Sequence, residues 1–164
     1  MVFPDLSQAE KFEHVCRIWS ELCLETIGFA NNVFLGERDT ADKNFCLAYM
    51  MRESKCLPPD YDIEKLISLY LSFCSLETNC RALSVAAATL ANGGVNPFSG
   101  KRIFEERTVR NCLSLMASCG MYDGSGAFQL QIGIPAKSGV SGTSSFETIR
   151  TQQLTWLLYK KTLK

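Results

Sequence analysis

The strongest constraint on this sequence is an imbalance along its length. Five segments with helical periodicity occupy residues 8 to 119, and only two or three stretches after them can serve as strands. Strand pairs need at least a third strand or a packed helix for stability. The sequence therefore predicts a mainly helical body carrying a sheet that is begun but not completed.

The first helix is announced by Ser7-Gln8-Ala9-Glu10, a capping box in which serine accepts an N3 amide and glutamate reaches back to the cap amide. Phe12, Val15, Trp19 and Leu22 recur at intervals of three and four, which predicts a buried face over about four turns. His14 lies beside that stripe, next to Glu10 and Arg17, and reads as a solvated side chain. The polar run Glu37 to Asn44 reads as a short loop, with Asp39 or Thr40 capping a helix through Phe45-Cys46-Leu47-Ala48-Tyr49-Met50-Met51. Leu57-Pro58-Pro59-Asp60 interrupts helical structure. A third helix then carries Leu66, Tyr70 and Phe73 on one face.

A fourth helix is expected from about Asn79 to Asn92, ended by Gly93-Gly94, and a fifth from Glu105 to Cys119, stopped by Gly120. Asn96 to Lys101 reads as a turn. Phe128, Leu130 and Ile132 alternate with Gln129, Gln131 and Gly133 and suggest one strand, with a second entered through Ile134 to Val140. No repeat is present, and no domain boundary is expected before residue 142. After Gly142 the texture changes: four basic residues oppose one acidic residue, and the tail reads as a peripheral helix or an amphipathic segment.

Composition narrows the class further. The 164 residues are 46% hydrophobic and 21% charged, which excludes disorder throughout and allows roughly two thirds of the unfolded surface to be buried. Seventeen basic and seventeen acidic side chains give no net electrostatic footprint for nucleic acid. No run of 18 apolar residues spans a bilayer, and the opening residues do not read as a secretory signal. The eight cysteines read as buried free thiols, against disulfides and reactive or metal-binding thiols. There is no Cys-x-x-Cys, and His14 has no partner at a metal-site spacing.

Taken alone, Lys137-Ser138-Gly139 is a weak chemical signal, Tyr70 reads as core, and Tyr122 is a phenol whose ordinary use is packing. The combined wording is more specific. Glu37-Arg38 through Asn44, Leu76-Glu77 through Cys80, Ser84 through Gly94, Val109-Arg110-Asn111 through Asp123, and Pro135-Ala136-Lys137-Ser138-Gly139-Val140 together resemble the animal kidney/liver-type glutaminases. These are serine-dependent amidohydrolases similar in fold to serine β-lactamases and penicillin-binding proteins. The resemblance covers about residues 8 to 142 and implies an α+β, partial β-lactamase/DD-peptidase-like domain, mainly its helical subdomain, with a divergent tail over 143–164.

In complete members the resemblance implies hydrolysis of L-glutamine to L-glutamate and ammonia through a serine acyl-enzyme. It assigns Glu37 and Asn44 to the substrate's amino-acid end, where a carboxylate meets its ammonium and a carboxamide donates to its carboxylate. Tyr70 lines the substrate pocket. Tyr122 takes the catalytic tyrosine's part in proton transfer, the Val140 backbone amide one oxyanion donor, and Lys137 the electrostatic support of a Lys-Thr/Ser-Gly element. No metal or organic cofactor is implied.

The family's nucleophile belongs to a Ser-x-x-Lys motif, which occurs nowhere in these residues. After Val140 the family continues through glycines into sheet strands, whereas Ser141-Gly142-Thr143 leads elsewhere. The expectation is a catalytically incomplete glutaminase-like chain, read as a fragment or variant product. The alternative is a noncatalytic oligomerisation or regulatory module that binds full-length glutaminase. Phosphate as activator, homo-oligomers and mitochondrial residence follow from the resemblance. Cytoplasm is the alternative compartment, because the start carries no evident transit peptide.

Overall fold

The computed structural model describes residue 3, residues 5–58 and 61–139, and the backbone of residues 144–146. The chain divides into two compact units, residues 1–20 with 26–78, and residues 21–25 with 79–164.

The first unit begins with α1 (Gln8–Cys23), whose last turn belongs to the second unit. The capping box forms as read: the Ser7 amide donates to Glu10 Oε2 at 2.8 Å, and the Glu10 amide donates to Ser7 Oγ at 3.3 Å. Hydrogen bonds to the Glu10 carboxylate from the Ser7 hydroxyl and the Ser7 amide hold that carboxyl below the ordinary glutamate range. Next come β1 (Gly28–Phe29), α2 (Asn31–Asp39), α3 (Asp42–Glu53), α4 (Ile63–Cys74) and β2 (Leu76–Glu77). β1 and β2 form a short antiparallel pair.

Helix α2 corrects the loop expected around Glu37. Glu37 sits in its last turn, and α3 starts after Ala41, which offers no side-chain cap, instead of after Asp39 or Thr40. Apolar burial decides this boundary: Ala41 and Ala48 join Ile63, Ile67 and Leu71 in the core, with Phe34 and Phe45 packed against them. A buried alanine between the helices outweighs the caps available beside it.

The buried stripe of α4 is likewise Ile63, Ile67 and Leu71, not the Leu66 to Phe73 face, and Tyr70 is half exposed. Phe12, read as core-facing, is only partly buried, but its ring lies 5.3 Å from Phe29 and 6.3 Å from Phe73. His14 is half-buried, with Arg17 Nη2 2.8 Å from its Nδ1 and the Phe3 ring beside it, rather than solvated.

The second unit contains α5 (Cys80–Ala91), α6 (Glu106–Cys119), a 3-10 turn (Tyr122–Gly124), α7 (Ser125–Gln131), β3 (Ala136–Ser138) and β4 (Ser144–Phe146). Asn79 caps α5 by accepting the Ala82 amide at 2.9 Å. Gly93 and Gly94, at φ +64° and +88°, end it in the left-handed region, as the paired glycines suggested. Asn96 is fully buried and fully used. Its Nδ2 donates to Leu22 O, and its Oδ1 accepts the Phe98 and Ser99 amides.

The strand expected at residues 126 to 132 is helix α7. Short apolar alternation does not separate strand from helix, and Leu130, which supplied part of it, is 88% exposed. The second strand is present as β3, paired antiparallel with β4 so that Lys137 lies opposite Ser145. No sheet among the described residues exceeds two strands, so the mainly helical α+β architecture with an incomplete sheet holds. Beyond the backbone of 144–146, the tail lies outside the described residues.

No disulfide joins the eight cysteines among the described residues, yet only Cys23 is buried and six are exposed. Their apolar neighbours in sequence face solvent as well, among them Leu47, Met50 and Leu115.

Asn79 generates a direct expectation. It caps α5 and also donates from Nδ2 to Glu25 Oε1 at 2.9 Å. Asn79→Ala is expected to lower stability by about 1 kcal/mol, read as a shift in urea midpoint at unchanged slope. Asn79→Asp, which keeps the cap oxygen, should lose less.

Candidate functional site

In the first unit, α2, which carries Glu37, packs on α4, which carries Tyr70 and Cys74. Tyr70 and Cys74 lie one turn apart on α4, at the i and i+4 positions whose side chains meet, and their side chains are hydrogen-bonded. Partial burial pushes the Cys74 thiol above its ordinary pKa. The Tyr70 hydrogen bond works in the opposite direction, and the negative charge of Glu37 adds to the rise.

Glu37 is exposed and forms no ion pair among the described residues, which leaves its carboxylate open to an ammonium group. Asn44, half-buried on α3, has its backbone amide bonded to Ala41 O at 2.8 Å and its carboxamide uncommitted among the described residues. Apart from its i+4 spacing from Tyr70, nothing in the residue pattern singles out Cys74.

In the second unit, Tyr122 follows α6 in the left-handed region at φ +51°, a conformation that costs a bulky side chain on the order of 1 kcal/mol. Ser125 holds it there: the Met121 amide donates to Ser125 Oγ at 3.0 Å, and Ser125 Oγ donates to Tyr122 O at 2.7 Å. The phenol ring is 68% exposed. Lys137 Nζ stands 4.8 Å from its centroid, a cation–π contact, and also donates to Ser138 O.

The contact depends on Gly120. A Cβ at that position would lie 1.7 Å from Ala136 O, so only glycine lets β3 come this close to the end of α6. The Ser138 amide then donates to Gly120 O at 3.0 Å. Glycine is required here by proximity and not by torsion, because Gly120 keeps right-handed helical angles.

Val140 lies outside the described residues. Glu37, Asn44 and Tyr70 belong to the first unit, where α2 and α3 both pack on α4, and Tyr122 and Lys137 meet in the second. Among the described residues no group of three or more His, Cys, Asp or Glu side chains could hold a metal ion.

The Glutaminase family model matches residues 2–146, and the chain belongs to the glutaminase family. It is 54% identical over 140 residues to a Caenorhabditis elegans protein whose name assigns it provisionally to the glutaminases. It is 45% identical over 143 residues to the rat mitochondrial glutaminase liver isoform. The match covers 84% and 87% of this chain but 24% of each relative, so the chain spans about a quarter of their length. A crystal structure of a Bacillus glutaminase, solved in 4.3 M NaCl, superposes over 88% of this chain and 48% of its own, with TM-score 0.81 and 30% identity.

The Cys74 cluster can be tested through thiol chemistry. Glu37→Gln removes a negative charge and should shift the pH profile of Cys74 alkylation downward. Tyr70→Phe removes the stabilising hydrogen bond and should shift it upward. Peptide-resolved mass spectrometry separates Cys74 from the other seven cysteines. Profiles that ignore both substitutions would show that neither side chain reaches the thiol.

Proposed function

We propose that this chain supplies part of the glutamine-recognising and proton-handling machinery of a serine-dependent amidohydrolase, and that these 164 residues by themselves do not turn glutamine over. What supports the reading is membership of the glutaminase family together with the packing of α2, which carries Glu37, on α4, which carries Tyr70.

On this reading the Glu37 carboxylate meets the substrate ammonium, the Asn44 carboxamide donates to its carboxylate, and the Tyr70 phenol hydrogen-bonds to the bound ligand. Tyr122 exchanges a proton with the nucleophile and the leaving ammonia. Lys137 places positive charge beside that transfer, and the Val140 amide donates to the developing oxyanion. What is lacking is the nucleophile. No serine here is followed three residues later by lysine. Ser138 does not substitute, because its hydroxyl is turned to Gly120 O at 3.4 Å.

Mitochondrial residence, with the cytoplasm as alternative, and activation by phosphate belong to the same proposal and rest on the likeness to the liver isoform and its family. Among the described residues no helix is long and apolar enough to cross a membrane.

A second reading, a noncatalytic module that associates with itself or with full-length glutaminase, is favoured by α3. Leu47, Met50 and Met51 recur at i, i+3 and i+4, and all three are about half exposed or more. If that stripe mediates association, Met50→Glu should lower the mass seen by light scattering at matched concentration.

The deciding assay incubates the purified 164-residue chain with glutamine, with and without phosphate, and measures ammonia and glutamate together. Neither product should appear above background. Equimolar release of both would overturn the inactivity claim, and its loss in a folded Ser138→Ala variant would move the nucleophile to Ser138.

A further inference from the structure

Tyr122 stands in a backbone conformation that a bulky side chain adopts only at a cost, at φ +51°. Its own side chain does not account for this. The ring is mostly exposed, and its cation–π partner, Lys137, is exposed as well. A cation–π contact open to water is of about the same size as the backbone strain at such a residue, so it does not by itself keep the ring in place.

The restraint comes from three positions further on. Ser125 is 6% exposed and opens α7. Its hydroxyl spends both its acceptor and its donor capacity on the turn, accepting the Met121 amide at 3.0 Å and donating to Tyr122 O at 2.7 Å. The Ser125 amide donates to the same carbonyl, and Met121 O accepts the Gly124 amide at 3.1 Å. The peptide groups before and after Tyr122 are therefore both tied. The two amide bonds are open to any residue with an N–H, whereas the two hydroxyl bonds depend on serine. Without the hydroxyl the partly buried Met121 amide loses its partner and one hold on the Tyr122 carbonyl is gone.

We propose that Ser125 is the positioning residue for Tyr122: its hydroxyl, and not the lysine, fixes the Tyr122 backbone and so keeps the phenol beside the Lys137 ammonium. The role rests on the reading of Tyr122 as proton carrier with Lys137 as its electrostatic support. A Tyr122 released to right-handed backbone angles would direct its Cβ elsewhere and carry the ring away from Lys137.

The experiment is nuclear magnetic resonance on the full, isotope-labelled chain. A nuclear Overhauser contact should join the Tyr122 ring to the Lys137 side-chain methylenes, and its loss in Tyr122→Leu identifies it. Ser125→Ala should lose the same contact and move the Tyr122 backbone carbon shifts out of the left-handed range. Ser125→Thr, which keeps the hydroxyl, should retain both. Lys137→Met should leave the Tyr122 backbone shifts unchanged. A serine that only stabilised the fold would lower the urea midpoint in Ser125→Ala and leave the ring contact intact. Circular dichroism establishes which variants are folded, and if Ser125→Ala is not, Ser125→Cys, whose thiol is a weak donor and acceptor, takes its place. These signals report where the ring stands whether or not the phenol transfers a proton, so a failure here is separate from a failure of the glutaminase reading. Persistence of the ring contact in a folded variant without the hydroxyl, its loss in folded Ser125→Thr, or Tyr122 shifts that move as far in Lys137→Met as in Ser125→Ala would each overturn the proposal.

Discussion

A single close approach organises the second unit. Because Gly120 has no Cβ, the Ala136 carbonyl can occupy the space a side chain would fill, and the backbone of Ser138 can bond to Gly120 O. Everything chemical in this unit follows from that contact. The chain leaves α6, turns through Tyr122 under the Ser125 clamp, makes the short helix α7 and returns as β3 with Lys137 beside the ring it left. A larger residue at 120 would separate lysine from tyrosine even if both side chains were untouched, since their distance is fixed by backbone and not by their own contacts.

The first unit uses a different device. There the polar groups are positioned by an apolar stripe they do not belong to: Ile63, Ile67 and Leu71 bury one side of α4, and this leaves Tyr70 and Cys74 exposed on another. The rotation of α4 is therefore set by burial, at roughly 1.5–3 kcal/mol for each fully buried aliphatic side chain. That is larger than the hydrogen bond and charge interaction it arranges. Core packing decides where the polar groups point, and they do not decide it themselves.

Much of the fold was legible because several element ends carry their own chemistry. Ser7 with Glu10 and Gly93-Gly94 each announced a boundary by a hydrogen bond or a torsion that few residues supply, and both appear where expected, while Asn79, near which the fourth helix was expected to begin, is its cap. Where boundaries were set by tertiary burial the sequence misled. Ala41 displaced the polar caps beside it, α2 went unread because the polar surface over Glu37 to Asp39 resembles a loop, and five alternating residues imitated a strand. The spacing of Tyr70 reads as core, and its half-exposed ring departs from that reading. The pairing of Tyr122 with Lys137 was not legible from spacing, because fifteen positions separate them and a glycine contact brings them together.

The eight thiols were read as interior residues, and six of them face outward. That reversal changes how the chain behaves among its own copies. A molecule with one exposed thiol can couple once and stop as a pair, but a molecule with several can couple to more than one neighbour and so build branched networks. Such growth depends on oxidant and concentration instead of shape, and it is fastest at the thiols most readily ionised. Under air the chain would behave as a polyfunctional monomer, and any specific assembly it makes is observable only where reductant keeps disulfide growth slower than reversible contact.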